Sequence, residues 1–285
     1  MIYFIFNKVS GTYTSEREEL IRKHSELLFK DQFVIKYTKP FNDEFIPDIT
    51  PNHISHDDSI VAVGGDGTIS LCLQFIHDND LSDKVSLGFI PAGTGNNMVK
   101  ISNLSKNILT ALDIINKRKI KVLQYGTIND KKVFLNFSLG FTSYVLQNRK
   151  TKTLKGYVID GIRNYMKFKH SRTRITSENY KIDAKLFAAF FMNTTHYLSF
   201  IRFLKKNNTT DNIHIFYLPK ANKLFNFIKL LPIFIGVNFF ERLTLNNFSI
   251  ELTKDQSIEI DGDVFRSNEK ILSIKNQNKI KFISG

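Results

Sequence analysis

The sequence predicts an α/β domain with a parallel sheet and covering helices, followed by a domain that is mainly antiparallel β. Three features carry that expectation. Up to about Lys119, short apolar runs alternate with helix-compatible segments, the rhythm of a parallel sheet covered by helices. Two of those runs open into glycine-rich turns. From Ile120 the rhythm changes, and strand-length runs follow one another. The 285 residues divide on this reading into domains of 1–120 and 121–285.

In chain order, Ile2-Tyr3-Phe4-Ile5-Phe6 reads as a strand and residues 14–30 as a charged helix. Phe33 to Tyr37 is a second strand, ending at Thr38 and stopped by Pro40. Ser59 to Val63 is a buried strand running into Gly64-Gly65-Asp66-Gly67, with a helix opening at Thr68. Residues 85–90 form another strand, closed by Pro91, before the loop Pro91-Ala92-Gly93-Thr94-Gly95-Asn96-Asn97. Ile108, Leu112 and Ile115 fall at helical spacing. In the second half, strands at 120–128 and 132–138 meet at Asn129-Asp130, a hairpin signal. Residues 155–170 read as a helix with Val158, Ile162, Tyr165 and Met166 on one side. Strands follow near 172–176, 180–192 and 213–218. After a helical region at 220–240 come strands near 247–253, 257–261, 270–275 and 279–284.

The two glycine-rich loops carry the chemistry. Strand, glycine turn and helix let a backbone approach a phosphate, because the glycines remove bulk and the helix N-terminus offers free N–H groups. Asp66 is unusual there, since a phosphate repels a carboxylate unless a metal ion bridges them or the acid handles a proton. The alternative is an ordinary Gly-Asp-Gly surface turn. A second loop of the same kind, after a second strand, fits a nucleotide lying across strand ends.

Taken together, Gly64-Gly65-Asp66-Gly67-Thr68, the Pro91–Asn97 loop and Asn7-x-x-Ser10-Gly11 resemble the diacylglycerol kinase catalytic-domain superfamily of soluble lipid, sphingosine and ceramide kinases. Asp211 begins a degenerate form of that family's Asp-Gly-Leu-Leu segment, and Asp261-Gly262-Asp263 resembles its Asp-Gly-Glu. The resemblance implies a two-domain lipid kinase with its active site in an interdomain cleft, using ATP and Mg²⁺. It places Asn7, Ser10, Gly11, Thr38, Gly64, Gly65, Asp66, Gly67, Thr68, Ile69, Ser70 and Thr94 at the nucleotide. It makes Asp263 the proton acceptor, with Asp66 and Asp261 as supporting carboxylates. For the metal it implies the Asp211 side chain with the carbonyls of Asn208 and Ile213; a polar loop with Asp211 capping a turn is the alternative. On residues alone, Asp261-Gly262 is a hairpin turn.

The chain departs from the family pattern in several places. Lys8 replaces a proline after Asn7, and Asp263 is one methylene shorter than the usual Glu. Asn97 and Thr142-Ser143 stand where the family carries acids, which lowers the charge available to a divalent ion.

A net charge of +13, from 40 basic and 27 acidic residues, suits an anionic partner. A nucleic-acid role would rest on that charge alone, so no specific nucleic acid is expected. The single cysteine, Cys72, excludes an intramolecular disulfide and a cysteine metal cluster. No secretory signal and no bilayer-spanning run is visible. The expected location is cytoplasmic, peripherally bound to an anionic membrane that supplies the lipid. Residues 219–243 mix Lys220, Lys223 and Lys229 with Phe225, Phe227, Leu231, Phe234, Phe239 and Phe240. A second basic stretch runs from Lys150 to Arg174; both suit a membrane surface or ordinary packing. A homodimer is among the assemblies left open. The alternatives to a lipid kinase are a NAD kinase, which shares the Gly-Gly-Asp-Gly-Thr loop, and a nucleotide- or lipid-binding regulator without catalysis.

Overall fold

The computed structural model describes residues 1–9, 13–41, 44–92, 99, 104–150, 154–197, 201–205, 207–208, 210–222, 225–226, 229, 239–253, 256–266 and 268–285. The chain forms two compact units. One is Met1–Leu123 with Lys279–Gly285, and the other is Gln124–Asn278.

The first unit is α/β. Its strands are β1 (Ile2–Phe6), β2 (Phe33–Phe41), β3 (Glu44–Pro47), β4 (Ser59–Gly64) and β5 (Ser86–Pro91), and its helices are α1 (Ser15–Phe29), α2 (Asp66–Asp78) and α3 (Ile108–Lys117). β2, β1, β4 and β5 run parallel in that spatial order. β1, β4 and β5 are buried along their whole length, as expected when both faces of a parallel sheet are covered. Ile21 and Phe29 of α1 and Ala111, Leu112 and Ile115 of α3 pack in one cluster with Phe4, Val61 and Ile90 of the sheet. α1 starts where Thr14 Oγ1 accepts the Arg17 N–H, and α3 where Asn107 Oδ1 accepts that of Thr110.

The second unit is antiparallel. It follows β6 (Ile120–Ile128) with β7 (Lys132–Phe134), β8 (Asn136–Gly140), α4 (Phe141–Gln147), α5 (Leu154–Tyr165), β9 (Ser171–Thr176) and β10 (Lys181–Met192). Then come β11 (His196–Tyr197), β12 (Ile201–Arg202), β13 (Ile213–Pro219), β14 (Glu241–Leu245), β15 (Phe248–Glu251), β16 (Ile258–Ile260), β17 (Asp263–Phe265) and β18 (Ile271–Ile283). β10 is the spine: its first half pairs with β9, and its second half with β8 and β13. Phe137 stacks on Phe191 at 4.0 Å between ring centroids, within a core that includes Ile215, Ile250 and Leu272.

The expected α/β-then-antiparallel order is the order observed, with local differences. The chain's last residues, Lys279–Gly285, belong to the first unit rather than to the second domain, because the end of β18 pairs in parallel with β5, Lys281 opposite Ser86. Pro40 does not stop β2: beyond Tyr37 the strand turns to an antiparallel partner, and Pro40 pairs with Phe45 of β3. The expected strand at 132–138 is two strands, β7 and β8. The expected pair at 270–275 and 279–284 is one strand, β18. β14 and α4 had no sequence signal that we read. α5 ends at Tyr165, and its Ile162 is exposed rather than turned into the core.

Candidate active site

In the first unit the parallel strands all end on one edge. The chain passes from β1 to β2 on one side, then to β4 on the other side of β1. The two strands at which this order reverses are β1 and β4, the position at which open α/β sheets bind ligands beyond their carboxyl ends. Asn7 follows β1 and Gly64 closes β4. Asn7 Oδ1 accepts from the Val9 N–H at 3.1 Å and from Thr38 Oγ1 at 3.4 Å, so two of the expected nucleotide residues meet.

Gly64 is required by a close approach. A Cβ built there would lie 2.3 Å from Thr68 Oγ1. Gly65 caps α2 and its carbonyl accepts the Thr68 N–H at 3.0 Å. α2 opens at Asp66, two residues before the expected start at Thr68. Asp66 therefore lies in the first helical turn, where the helix dipole favours a carboxylate. Thr68 and Ile69 are buried, so Ile69 can serve a ligand only through its backbone. Gly65, Asp66, Gly67 and Ser70 are half-buried. Gly64 also accepts the Ala92 N–H at 2.8 Å, which starts the second glycine loop beside the first. Ser10, Gly11, Thr94 and Asn97 lie outside the described residues.

Next to Asn7, the carboxylate of Glu18 accepts from Tyr13 Oη at 2.7 Å and Tyr37 Oη at 2.6 Å. Lys8 Nζ sits 3.9 Å from the Tyr37 ring centroid, a cation–π contact. The lysine that replaces the family's proline thus has a defined seat.

In the second unit, Asp261 and Gly262 join β16 to β17 with φ of 49° and 102°. Two positive φ values are the signature of the Asp-Gly hairpin turn read from the residues. Asp261 anchors that turn: its two carboxylate oxygens accept the N–H groups of Leu135 at 2.9 Å and Asn136 at 2.8 Å. Asp263 is exposed at the first position of β17.

Beneath the turn lies Glu259, which sequence reading missed. It is 2 % exposed. Its Oε2 accepts from Ser138 Oγ at 2.6 Å and Tyr197 Oη at 2.8 Å, and its Oε1 accepts the Gly262 N–H at 2.6 Å. Thr142 Oγ1 donates in turn to Ser138 Oγ at 2.9 Å. Burial pushes the Glu259 carboxyl up to about 7, opposed by these hydrogen bonds and reinforced by the Asp261 charge. The available signal was a lone acid inside the apolar Ile258-Glu259-Ile260 strand. The neutral Thr142, read as a lost acid, is therefore hydrogen-bonded through Ser138 to a buried carboxyl.

The expected metal residues lie at the start of β13. Asp211 is exposed and accepts from Gln124 Nε2 at 3.2 Å. Gln124 Nε2 also donates to the Asn276 carbonyl at 2.9 Å, while its buried Oε1 finds no hydrogen-bond partner among the described residues. Asn208 is buried with its amide engaged by Asn193 and Asn212, and its Oδ1 accepts from Thr210. Ile213 is buried and can offer only its carbonyl. A carboxylate beside an unsatisfied amide oxygen suits a hard cation. No three His, Cys, Asp or Glu side chains stand together as a metal cluster among the described residues.

Residues 1–128 match the family model of the diacylglycerol kinase catalytic domain. Those residues belong to the diacylglycerol kinase catalytic-domain superfamily. The Gly64–Thr68 turn and Asn7 lie inside the matched residues. A probable lipid kinase YegS-like protein of Enterobacter sp. is 25% identical over 129 residues, covering 43% of each chain. A Streptococcus pneumoniae protein, named only provisionally as a lipid kinase, is 24% identical over 211 residues, covering 72% of this chain and 68% of its own. The chain thus matches under half the length of the Enterobacter relative. A diacylglycerol kinase structure from Bacillus anthracis superposes with a TM-score of 0.71 at 18% identity, covering 100% of this chain and 96% of the other; at that identity the likeness is one of fold. No helix among the described residues is long and apolar enough to cross a membrane.

Proposed function

We propose that the protein is an ATP-dependent lipid kinase that moves the γ-phosphoryl group of ATP to a lipid hydroxyl, with diacylglycerol or a sphingoid base as the acceptor class. The observation that carries this reading is the glycine turn of the catalytic domain, seated where the strand order reverses, with a carboxylate in the first turn of the following helix. The backbone of Gly64, Gly65 and Gly67 and the Thr68 hydroxyl hold phosphate oxygens. Asn7 and Thr38, already hydrogen-bonded to each other, hold the nucleoside end. Ser10, Gly11, Ile69, Ser70 and Thr94 complete the nucleotide set.

Asp263 accepts the proton of the acceptor hydroxyl as its oxygen attacks the γ-phosphorus, and the bond to the β-bridging oxygen breaks. Asp261 and Glu259 do not take that proton; they hold the turn that carries Asp263. Asp66 would hold the divalent ion that accompanies the ATP phosphates, without which its carboxylate would repel them. Mg²⁺ would be held by Asp211, the Gln124 amide oxygen and the carbonyls of Asn208 and Ile213. When bound there, it supplies positive charge that orders this loop.

Asp263→Asn should lower turnover by about 10²- to 10⁴-fold while ATP binding, read by calorimetry, stays within about twofold of the parent. Unchanged turnover in that variant would remove Asp263 from the mechanism. The neutral residues Asn97 and Thr142 favour a second reading, a nucleotide- or lipid-binding regulator. It predicts ATP binding with no transfer to any lipid.

A further inference from the structure

Over its described side chains, from Ile159 on, helix α5 turns two polar residues inward and two isoleucines outward. Asp160 is 2 % exposed and Asn164 7 %, whereas Ile159 is 55 % exposed, Ile162 63 % and Met166, one residue past the helix, 68 %. At about 100° per residue, Ile159 and Ile162 lie on the face opposite Asp160 and Asn164. This orientation is pinned by specific bonds rather than by loose apolar packing. Asp160 accepts the Lys150 N–H at 2.7 Å and an Arg163 guanidinium N–H at 2.9 Å. The Asn164 amide donates to the Asp160 carbonyl at 2.8 Å, and the Asn164 carbonyl accepts from Lys167 and Phe168. Tyr165 packs its edge on Phe141 at 5.5 Å. Rotating the helix to hide the isoleucines would bare Asp160, break its bond from the Lys150 N–H and lift Tyr165 off Phe141; the bonds from Arg163 and Asn164 to Asp160 lie within the helix and turn with it.

The exposed stripe is ringed by positive charge. Arg163, Lys167 and Lys169 are exposed on the same element and its exit. Phe225, 47 % exposed, adds a ring with Lys229 Nζ 4.6 Å from its centroid. Its chain neighbour Asn226 approaches His170 Nε2, on the segment that leaves α5, at 3.4 Å. A helix with an apolar face outward and cations at its margin is the pattern of an element that lies in the plane of a bilayer surface.

We propose that the exposed face of α5, with Phe225, is the surface by which this protein docks on an anionic lipid bilayer. Ile159, Ile162 and Phe225 enter the headgroup–acyl boundary, and Arg163, Lys167, Lys169 and Lys229 meet the lipid phosphates. The preference for a bilayer over a protein partner rests on this charge complementarity and on the lipid-kinase reading, which requires a lipid source.

The test is flotation of the full chain with phosphatidylglycerol–phosphatidylcholine vesicles and with pure phosphatidylcholine vesicles, without ATP. The parent should float with the first and remain behind with the second. Lys167→Gln with Lys169→Gln should weaken partition about fivefold per charge, and Ile159→Asn with Ile162→Asn at least about tenfold. Ile159→Leu with Ile162→Leu should bind as the parent does, and equal melting temperatures establish that every variant is folded. Equal flotation on both vesicle types, no flotation of the parent, or variants that bind unchanged would overturn the proposal. So would a parent dimer in light scattering that the Ile→Asn pair converts to monomer, because a second copy would then cover the stripe. Transfer to a water-soluble short-chain diacylglycerol separates the two claims. A kinase without a docking face phosphorylates it and does not float, whereas a docking protein that is no kinase floats and leaves it unlabelled.

Discussion

Glu259 is the residue whose behaviour follows most directly from its surroundings. Its folded-state value, about 7, lies above the ordinary 4.5. The folded protein therefore holds a proton there that the unfolded chain has released, and stability falls as pH rises from about 4.5 to about 7. Glu259→Gln should remove that part of the decline, so the difference in melting temperature between variant and parent should grow in the variant's favour from about pH 5 to about pH 8. A difference that is flat with pH would mean the carboxyl is not held protonated. Gly64→Ala should cost about 1–3 kcal/mol in chemical denaturation, since its Cβ would collide with Thr68. Asp211→Asn should abolish any rise in melting temperature on adding Mg²⁺; a rise that persists would place the cation elsewhere. At this scale the glycine turn and the Asp-Gly hairpin were legible, because conformations that need glycine or Asp-Gly are written in residue types. Glu259 was not, because its role comes from Ser138 and Tyr197, distant in sequence and joined only by the fold.

At the scale of elements, the strands and helices of the first unit were legible from their apolar runs, and the errors have local causes. Pro40 was read as a terminator, yet at the edge of the sheet β3 supplies it with an antiparallel neighbour. Asn276-Gln277-Asn278 was read as a break, yet β18 runs through it. There, Asn193 Nδ2 donates to Asn276 Oδ1 at 2.8 Å and Asn276 Nδ2 donates back to Asn193 Oδ1 at 3.0 Å. A reciprocal amide pair lets turn-forming residues stay in a strand, and nothing in the local sequence announces it. Asn276→Ala would strip Asn193 of two bonds and should cost about 1–3 kcal/mol, with Asn193→Ala in the same background adding less than it does alone. Additive losses would show that the two amides do not act as a pair. α5 was legible as a helix but not in its facing. Periodicity marks an apolar side without saying whether core or solvent receives it.

At the scale of the molecule, the α/β order of residues 1–128, which match the diacylglycerol kinase catalytic-domain model, and the antiparallel order of the second unit account for the fold, while the acceptor of the proposed kinase is a matter of pocket shape that residue types do not encode. The measurement that tests the central claim most directly is transfer of labelled phosphate from ATP and Mg²⁺ to diacylglycerol, monoacylglycerol, sphingosine, ceramide and phosphatidylglycerol in mixed micelles, with NAD as a parallel acceptor. Asp66→Asn and Asp263→Asn serve as paired controls. A lipid kinase puts label on at least one lipid and none on NAD, with a loss of about 10²-fold or more in each variant. Label on NAD with every lipid blank, or lipid labelling that survives both substitutions, would contradict it.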